Sequence, residues 1–117
     1  MENTLAIAAL GALAQTTRLE TFRALVRHEP EGIPAGELAR MLDVPQNTMS
    51  SHLATLSRAG LVKSERQSRS VIYRADLDGL RELTLFLLKD CCGGSTELCA
   101  PLIAELTPFC TPEVQLS

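Results

Sequence analysis

The chain has 117 residues, of which 45% are hydrophobic and 21% are charged, and its formal net charge is −3. This length favours one globular domain. The longest apolar runs are too short to cross a bilayer and no signal sequence is recognisable, so we expect a cytoplasmic protein with no membrane association. An acidic net charge, taken alone, argues against a nucleic-acid-binding protein.

Charge is unevenly distributed along the chain. Residues 44–74 contain five basic residues and one acidic residue, whereas residues 75–117 contain two basic and seven acidic residues. A basic middle segment inside an acidic protein is the pattern of a small surface that attracts phosphate groups.

Two helices are predicted in the first thirty residues. Residues 5–14 are mostly alanine and leucine, and their small side chains would let a partner helix approach closely. A second helix, capped by Thr16 or Thr17 and ending near Pro30, has apolar residues at i, i+3, i+6 and i+7. Its apolar residues are Leu19, Phe22, Leu25 and Val26. The segment EPEGIP that follows is predicted to be a turn.

The next two helices are short and closely joined. The first begins near Ala35, ends at Asp43-Val44-Pro45, and has an inner face made of Leu38, Met41 and Leu42. The second starts at once and ends where Gly60 can form a C-terminal cap. Its inner face is made of Met49, Leu53 and Leu56. Two short helices joined by a tight turn, the second with a basic and amide-rich outer face, indicate a helix-turn-helix.

A β-hairpin and a last helix follow. Residues 61–65 and 70–75 alternate apolar and polar side chains, which predicts a hairpin whose connection, Arg66-Gln67-Ser68-Arg69, carries no strong turn signal. Residues 76–90 are apolar on more than one side, which predicts a helix with two neighbours. The predicted fold class is therefore mainly α with a small β-hairpin, in the order of a winged helix-turn-helix.

This order of elements, together with the run VPQNTMSSHLATLSRAGLV, closely resembles the ArsR/SmtB family of metal- and metalloid-responsive winged-helix repressors. The resemblance covers roughly residues 5–90, and Arg69 and Tyr73 also fit the wing. Its strongest part consists of Ser50, His52, Leu53, Leu56, Ala59, Gly60, Leu61 and Val62. The resemblance implies a homodimer built on the first and last helices, bound to palindromic double-stranded operator DNA and released by an inducer. Residues 1–90 would then bind DNA and dimerise, and residues 91–117 would bind the inducer.

The outer face of the second short helix is available to a DNA major groove. An amide near the start of that helix can read an adenine edge, and arginines at the wing tip are placed for phosphates or a minor groove. The predicted DNA-binding residues are Gln46, Asn47, Thr48, Ser50, Ser51, His52, Thr55, Arg58, Arg66 and Arg69. For His52, an inward hydrogen bond that orients the helix competes with a phosphate contact. We expect Arg18 and Arg40 to be solvated surface charges.

Three of the four cysteines lie within the nine residues CCGGSTELC, directly after the last helix. They are Cys91, Cys92 and Cys99. The cysteine-containing motif of other family members is replaced here by Glu37-Leu38-Ala39-Arg40, and residues 76–90 contain no histidine. A similar cysteine pair followed by a third cysteine occurs at the end of the last helix in a subgroup of arsenic-responsive repressors.

The chemistry of three thiolates favours a soft ion. Trivalent arsenic or antimony accepts three sulfurs, whereas structural zinc takes four ligands. We therefore expect arsenite, methylarsenite or antimonite as the inducer, one per subunit, with no organic cofactor and with Cys110 as a bystander. Cadmium, lead or zinc is an alternative. A redox switch is another alternative, because Cys92 and Cys99 could form a disulfide. Cys91 and Cys92 are poor partners for each other, because adjacent Cα atoms are about 3.8 Å apart, which is too close for a relaxed disulfide.

Two other functional classes fit the sequence less well. An enzyme such as a small arsenate reductase needs a cysteine activated by a helix N-terminus or a cation, whereas Cys91 and Cys92 follow a helix C-terminus and Asp90. A winged helix that binds only a protein partner would not need the basic segment. The sequence thus predicts a metalloid-responsive transcriptional repressor that is not an enzyme.

Overall fold

The computed structural model describes the backbone of residues 1–91 and the side chains of residues 1–88. Met1–Leu83 forms one compact unit, and the chain from Thr84 onward belongs to a second. The described elements are α1 (Asn3–Leu13), α2 (Thr16–Arg27), β1 (Ile33–Pro34), α3 (Ala35–Leu42), α4 (Gln46–Arg58), β2 (Val62–Gln67), β3 (Ser70–Ala75) and α5 (Leu77–Cys91). The predicted winged-helix class is confirmed. The functional boundary after residue 90 stays a prediction.

None of the helices described has the length and hydropathy needed to span a membrane.

The sheet contains one strand more than the sequence predicted. The strands lie in the order β1-β3-β2, and β1 pairs with β3 through Ile33–Tyr73 and Pro34–Ile72. The EPEGIP segment is therefore not only a turn. Ile33 is 3% exposed, and Pro34 can sit beside it because an edge strand does not need every backbone N–H. A two-residue strand is too short for the alternation by which strands are recognised in a sequence.

The core is built from one face of each helix in the first unit. Its largest fully buried side chains are Leu25, Leu38, Met49, Leu53, Leu56, Leu61 and Thr21. The predicted inner face of α4 is confirmed. Those of α2 and α3 are partly wrong, because Leu19, Val26 and Met41 are 42%, 37% and 45% exposed. Thr21 and Ala39 face inward instead, and Thr21 can do so because its hydroxyl donates to the carbonyl of Thr17 at 2.7 Å.

Helix α1 turns its alanines toward its own unit and its larger side chains outward. Ala6, Ala9 and Ala12 are buried, and α1 packs against α2 and α4. Exposed on its other side are Leu5, Ile7 and Leu10, at 52%, 68% and 43%. The small side chains thus allow close packing within the chain, while the outward row leaves an apolar surface on the described part of the protein.

The start of α2 and the end of α4 have specific caps. The cap of α2 is Gln15, whose Oε1 accepts from the backbone N–H of Arg18 at 2.7 Å, so the prediction of Thr16 or Thr17 was wrong. At the end of α4, Gly60 has φ 81°, and the N–H of Leu61 donates to the carbonyl of Leu56 at 3.0 Å. The predicted glycine cap is confirmed, because only glycine adopts this positive φ without strain.

The start of α5 lies against the end of α4. The backbone N–H of Asp76 donates to the carbonyl of Leu61 at 2.8 Å, and the carboxylate of Asp76 accepts from the N–H of Gly79 at 3.2 Å. A Cβ at Gly79 would collide with the carbonyl oxygen of Gly60. A glycine is therefore required at this crossing for steric reasons.

Arg74 joins three segments of the first unit. Its guanidinium donates to both carboxylate oxygens of Glu29, at 2.8 and 3.2 Å, and to Glu65 at 2.9 Å. The Glu29 side chain is only 15% exposed. The hydrogen bonds from Arg74 lower the pKa of Glu29 from its usual 4.5, although burial acts in the opposite direction. The loop after α2 is thereby fastened to the sheet.

Replacing Glu29 with glutamine is expected to lower the free energy of unfolding by about 1 kcal/mol at pH 7, because two charge-assisted hydrogen bonds are lost. The native pKa of Glu29 lies below 4.5, so this stabilisation is present above pH 4.5 and is lost as the pH falls through the native pKa. Urea unfolding measured from pH 7 downward should show the advantage of the wild type shrink below pH 4.5.

The matched control for this prediction is Glu37→Gln. Glu37 pairs with Arg40 at 3.7 Å, but both side chains are largely exposed, so the change should cost less than about 0.5 kcal/mol. Equal losses in the two variants, or a loss at Glu29 that does not depend on pH, would contradict the assignment.

Candidate nucleic-acid interface

The exposed face of α4 lies where the sequence predicted it. Met49, Leu53 and Leu56 are fully buried. On the other side, the exposed residues are Gln46, Asn47, Ser50, Ser51, Ala54, Ser57 and Arg58. The helix is held by its neighbour α3, whose C-cap residue is Asp43 with φ 57°. The N–H of Val44 then donates to the carbonyl of Ala39 at 3.0 Å, which closes the tight turn before α4. The outer face is thus presented on a rigid support.

Two of the predicted contact residues have polar groups committed to the helix itself. The hydroxyl of Thr55 donates to the carbonyl of Ser51 at 3.2 Å. The side-chain oxygen of Asn47 accepts from the N–H of Thr48 at 2.9 Å. Thr48 and Thr55 are also half-buried. Asn47 keeps its amide donors for a partner, so the structure favours Asn47 over the two threonines as a base-reading residue. Their individual contacts with DNA stay predictions.

The wing ends in an exposed basic turn. Strands β2 and β3 pair from Val62–Ala75 to Gln67–Ser70, which leaves a two-residue connection, Ser68-Arg69. Ser68 adopts φ 57°, so the turn uses a positive φ without glycine. Arg66 and Arg69 are exposed and form no ion pair within the described residues. Both guanidinium groups are free to contact a phosphate.

The basic surface is smaller than the charge count of residues 44–74 indicated. Arg74 is bonded to Glu29 and Glu65, so it does not contribute a free cation. Arg40 lies outside that segment and is 75% exposed beside Glu37, as expected of a solvated charge. The free cations of the segment are Arg58, Lys63, Arg66 and Arg69. They lie at the end of α4 and along the wing.

Arg18 is not the solvated surface charge that we expected. It is half-buried, and its Nε donates to the carbonyl of Ala12 at 2.7 Å. Its Nη1 lies 3.5 Å from Nδ1 of His52. The spacing of Gln15 and Arg18 fits an N-cap and the backbone N–H that it accepts from, but it gives no signal for the contacts of the guanidinium.

His52 faces inward, on the flank of α4 that adjoins its buried side. It is half-buried, and burial lowers the pKa of its imidazole below 6.5, with a further lowering by the charge of Arg18. Of the two roles that the sequence left open for His52, the structure provides the inward contact. A phosphate contact stays a prediction.

The predicted cysteine site falls largely outside the described residues. Cys91 is the last residue of α5, but its side chain is not described, and Cys92, Cys99 and Cys110 lie beyond the described range. Within the part of the chain that is described, no three His, Cys, Asp or Glu side chains are grouped to hold a metal ion. The thiol site stays a prediction from the sequence.

Comparison with known proteins links this geometry to a function. A family model described as a helix-turn-helix domain matches residues 13–65, which run from the end of α1 into β2. The transcriptional activator HlyU of Vibrio cholerae is 35% identical over 68 residues, which cover 58% of this chain and 60% of HlyU, less than two thirds of its length. A solved HlyU structure has a TM-score of 0.60 at 30% identity and covers 78% of this chain and 99% of that chain.

Two other solved structures are similar. An ArsR-like transcriptional regulator from Rhodococcus sp. RHA1 has a TM-score of 0.71 at 28% identity, covering 83% of this chain and 89% of that chain. The homodimeric winged helix-turn-helix DNA-binding domain of Mb0332 from Mycobacterium bovis has a TM-score of 0.62 at 22% identity, covering 77% and 82%. The second likeness shows the fold alone.

Proposed function

Because this chain belongs to the ArsR family of winged helix-turn-helix transcriptional regulators, which bind DNA, we propose that it is a dimeric, metalloid-responsive repressor. Trivalent arsenic or antimony, bound by Cys91, Cys92 and Cys99, releases it from its operator. The observation that carries the proposal is the placement of three thiols within nine residues that begin at Cys91, the last residue of α5. The relatives named above are regulators, so the enzyme alternative has no support from them.

The choice of inducer follows from ligand number and softness. Three thiolates satisfy the pyramidal geometry of trivalent arsenic or antimony, whereas structural zinc would need a fourth ligand. The nearest further thiol is Cys110, eleven residues after Cys99. Since the three cysteines come from one short segment, each subunit holds one inducer atom. Methylarsenite needs only two sulfurs, so dependence on all three favours the inorganic form.

DNA is read by α4 and contacted by the wing. The exposed amides and hydroxyls of α4 face bases in the major groove, and Arg58, Arg66 and Arg69 contact phosphates. A two-fold dimer presents two such helices to half-sites about 34 Å apart. The outward row Leu5, Ile7 and Leu10 on α1 is one part of the dimer surface, and the family resemblance implies that the last helix supplies another. Burial of these apolar side chains drives association.

Release follows from the position of the thiols at the end of a dimer helix. Helix α5 starts at the cap of α4, where Asp76 bonds to Leu61. Drawing three sulfurs around one atom changes the end of α5, which alters the packing between the subunits and hence the spacing of the two α4 helices. Bound metalloid then lowers the affinity for the operator, and bound operator lowers the affinity for the metalloid by the same factor.

The test is a gel-shift titration with the DNA that lies upstream of the gene for this chain. Without arsenite we expect a retarded complex, and with arsenite we expect its loss. Cys91→Ser, Cys92→Ser and Cys99→Ser should each leave the complex intact in arsenite. Cys110→Ser is the matched control and should respond like the wild type.

Other outcomes would identify the alternatives. Release by zinc, cadmium or lead without any effect of arsenite would assign soft-metal sensing. Release by peroxide that a reductant reverses would assign a redox switch between Cys92 and Cys99. Since HlyU is an activator, the same titration is repeated as in vitro transcription, where the proposal requires RNA synthesis to fall on protein addition and to recover with arsenite.

A further inference from the structure

The side chains of Arg18 and His52 connect the end of α1 to the exposed DNA-facing helix. Ala12 lies in the last turn of α1, where backbone carbonyls have no partner within the helix. Arg18 supplies that partner through Nε at 2.7 Å and reaches His52 on α4 through Nη1 at 3.5 Å. One half-buried side chain of α2 therefore contacts two other helices, α1 and α4, while the backbone N–H of Arg18 is capped by Gln15.

This contact is a hydrogen bond in only one tautomer of the histidine. A guanidinium has only hydrogen-bond donors, so the imidazole nitrogen beside it must offer a lone pair. In that tautomer Nδ1 of His52 is unprotonated and the ring proton lies on Nε2, which has no hydrogen-bond partner among the described residues. Burial of the ring and the nearby positive charge of Arg18 both favour this neutral form.

Two roles for the pair can be separated by geometry. If Arg18 or Nε2 of His52 bound a phosphate, the pair would add to affinity for any duplex. If the pair instead fixes the angle of α4 relative to α1, it would raise affinity only for a duplex whose base edges α4 must contact in the correct alignment. The burial of Arg18 and its bond to the Ala12 carbonyl support the second role, because the guanidinium is held by the protein and not by solvent.

We infer that Arg18 and His52 are positioning residues that link α1, the proposed dimer helix, to the DNA-reading helix α4. The inference rests on the proposed function, because it assumes that α4 reads DNA. A displacement of α1 at the dimer surface would be transmitted to α4 through the Ala12 carbonyl, Arg18 and Nδ1 of His52. The link begins at α1 and includes none of the cysteines.

The experiment uses the purified full chain and two duplexes of equal length. One is selected by the wild-type protein from a randomised pool, and the other has an unrelated sequence. Dissociation constants are measured over a series of salt concentrations, and thermal unfolding is recorded for every variant. Arg18→Gln removes the link from one side, and two substitutions at His52 distinguish its ring nitrogens.

Asparagine and glutamine imitate different nitrogens of the imidazole. In His52→Asn the amide lies at the position of Nδ1 and can still accept from Arg18, whereas in His52→Gln it lies nearer the position of Nε2. We expect His52→Asn to keep affinity for the selected duplex within about threefold. His52→Gln and Arg18→Gln should each weaken it by about tenfold, the value of one lost hydrogen bond, with the unrelated duplex and the salt slope unchanged. The double variant Arg18→Gln/His52→Gln should bind the selected duplex no more weakly than either single variant.

Several results would overturn the inference. A fall of about 0.9 in the salt slope for Arg18→Gln would show a direct phosphate contact. Retention by His52→Gln with loss in His52→Asn would assign the Nε2 donor to DNA. Arg23→Gln, an exposed arginine on the same helix with no ion pair among the described residues, is the matched control and should change nothing.

Failure of the inference and failure of the proposed function are distinguishable. If the wild type selects no duplex, the proposed function is wrong. If the wild type binds and Arg18→Gln binds equally well, only the link is wrong. Should Arg18→Gln unfold, the asparagine and glutamine variants at His52 decide the question alone, because they make opposite predictions for the two roles.

Discussion

Replacing Ala54 with glutamate is expected to weaken binding to the selected duplex at least 100-fold while leaving the fold intact. Ala54 is exposed on the face of α4 that lies opposite Met49, Leu53 and Leu56. In the proposed complex a carboxylate there would stand in the major groove between two phosphate backbones. A like charge placed against a binding partner costs several kcal/mol, and about 2.7 kcal/mol already corresponds to 100-fold.

The matched control is Val26→Glu. Val26 is 37% exposed on α2, so this variant adds the same charge to an exposed apolar position outside the proposed interface. Because the net charge of the two variants is equal, any difference between their dissociation constants reports the location of the charge. Fluorescence anisotropy with the selected duplex measures the two dissociation constants, and circular dichroism checks the helix content. Equal weakening in both variants would show that α4 does not enter the groove.

Replacing Gly79 with alanine is expected to lower the free energy of unfolding by about 2 to 4 kcal/mol. The new Cβ would collide with the carbonyl oxygen of Gly60, which is backbone and cannot rotate away as a side chain could. The start of α5 must then move from the cap of α4, at a cost typical of overpacking. The helix propensity of alanine, about 1 kcal/mol better than that of glycine, offsets only part of the loss.

Thermal unfolding measures this effect, and Gly36→Ala is its control. A Cβ at Gly36, in the first turn of α3, would lie 3.6 Å from Nε2 of Gln46, which is ordinary contact. The same substitution should therefore be neutral or stabilising there, whereas Gly79→Ala should lower the midpoint by about 10 °C or more. A Gly79 variant that melts with the wild type would show that α5 does not need the close approach.

The helix-turn-helix and wing were predictable because their signals are local. Met49, Leu53 and Leu56 repeat at the helical period, and all three are buried. Gly60 marked the end of α4 because a positive φ there strongly favours glycine. The resulting exposed face followed from the geometry of a regular helix alone. The sequence therefore predicts which side of α4 is exposed, whereas the contacts of that side with DNA stay predictions.

Other features depend on contacts between distant residues, which periodicity does not encode. Ile33 forms a strand only because Tyr73 lies beside it. Arg74 counts as a basic residue in the sequence but is matched by Glu29, which lies 45 positions earlier. Arg18 resembles any surface arginine until the carbonyl of Ala12 and the ring of His52 are placed around it. Such pairings are fixed by the fold and could not be read from spacing.

The junction after α4 has a consequence for how chains of this family can vary in length. At Leu61 the N–H is bonded to Leu56 and the carbonyl to Asp76, and the carbonyl of Gly60 lies against Gly79. An inserted residue there would break both hydrogen bonds of Leu61 and the close packing of Gly60 against Gly79. The exposed turn at Ser68-Arg69 carries no such constraint, because its backbone only closes a hairpin. Insertions and deletions during evolution should therefore accumulate at the tip of the wing and be rare at its base.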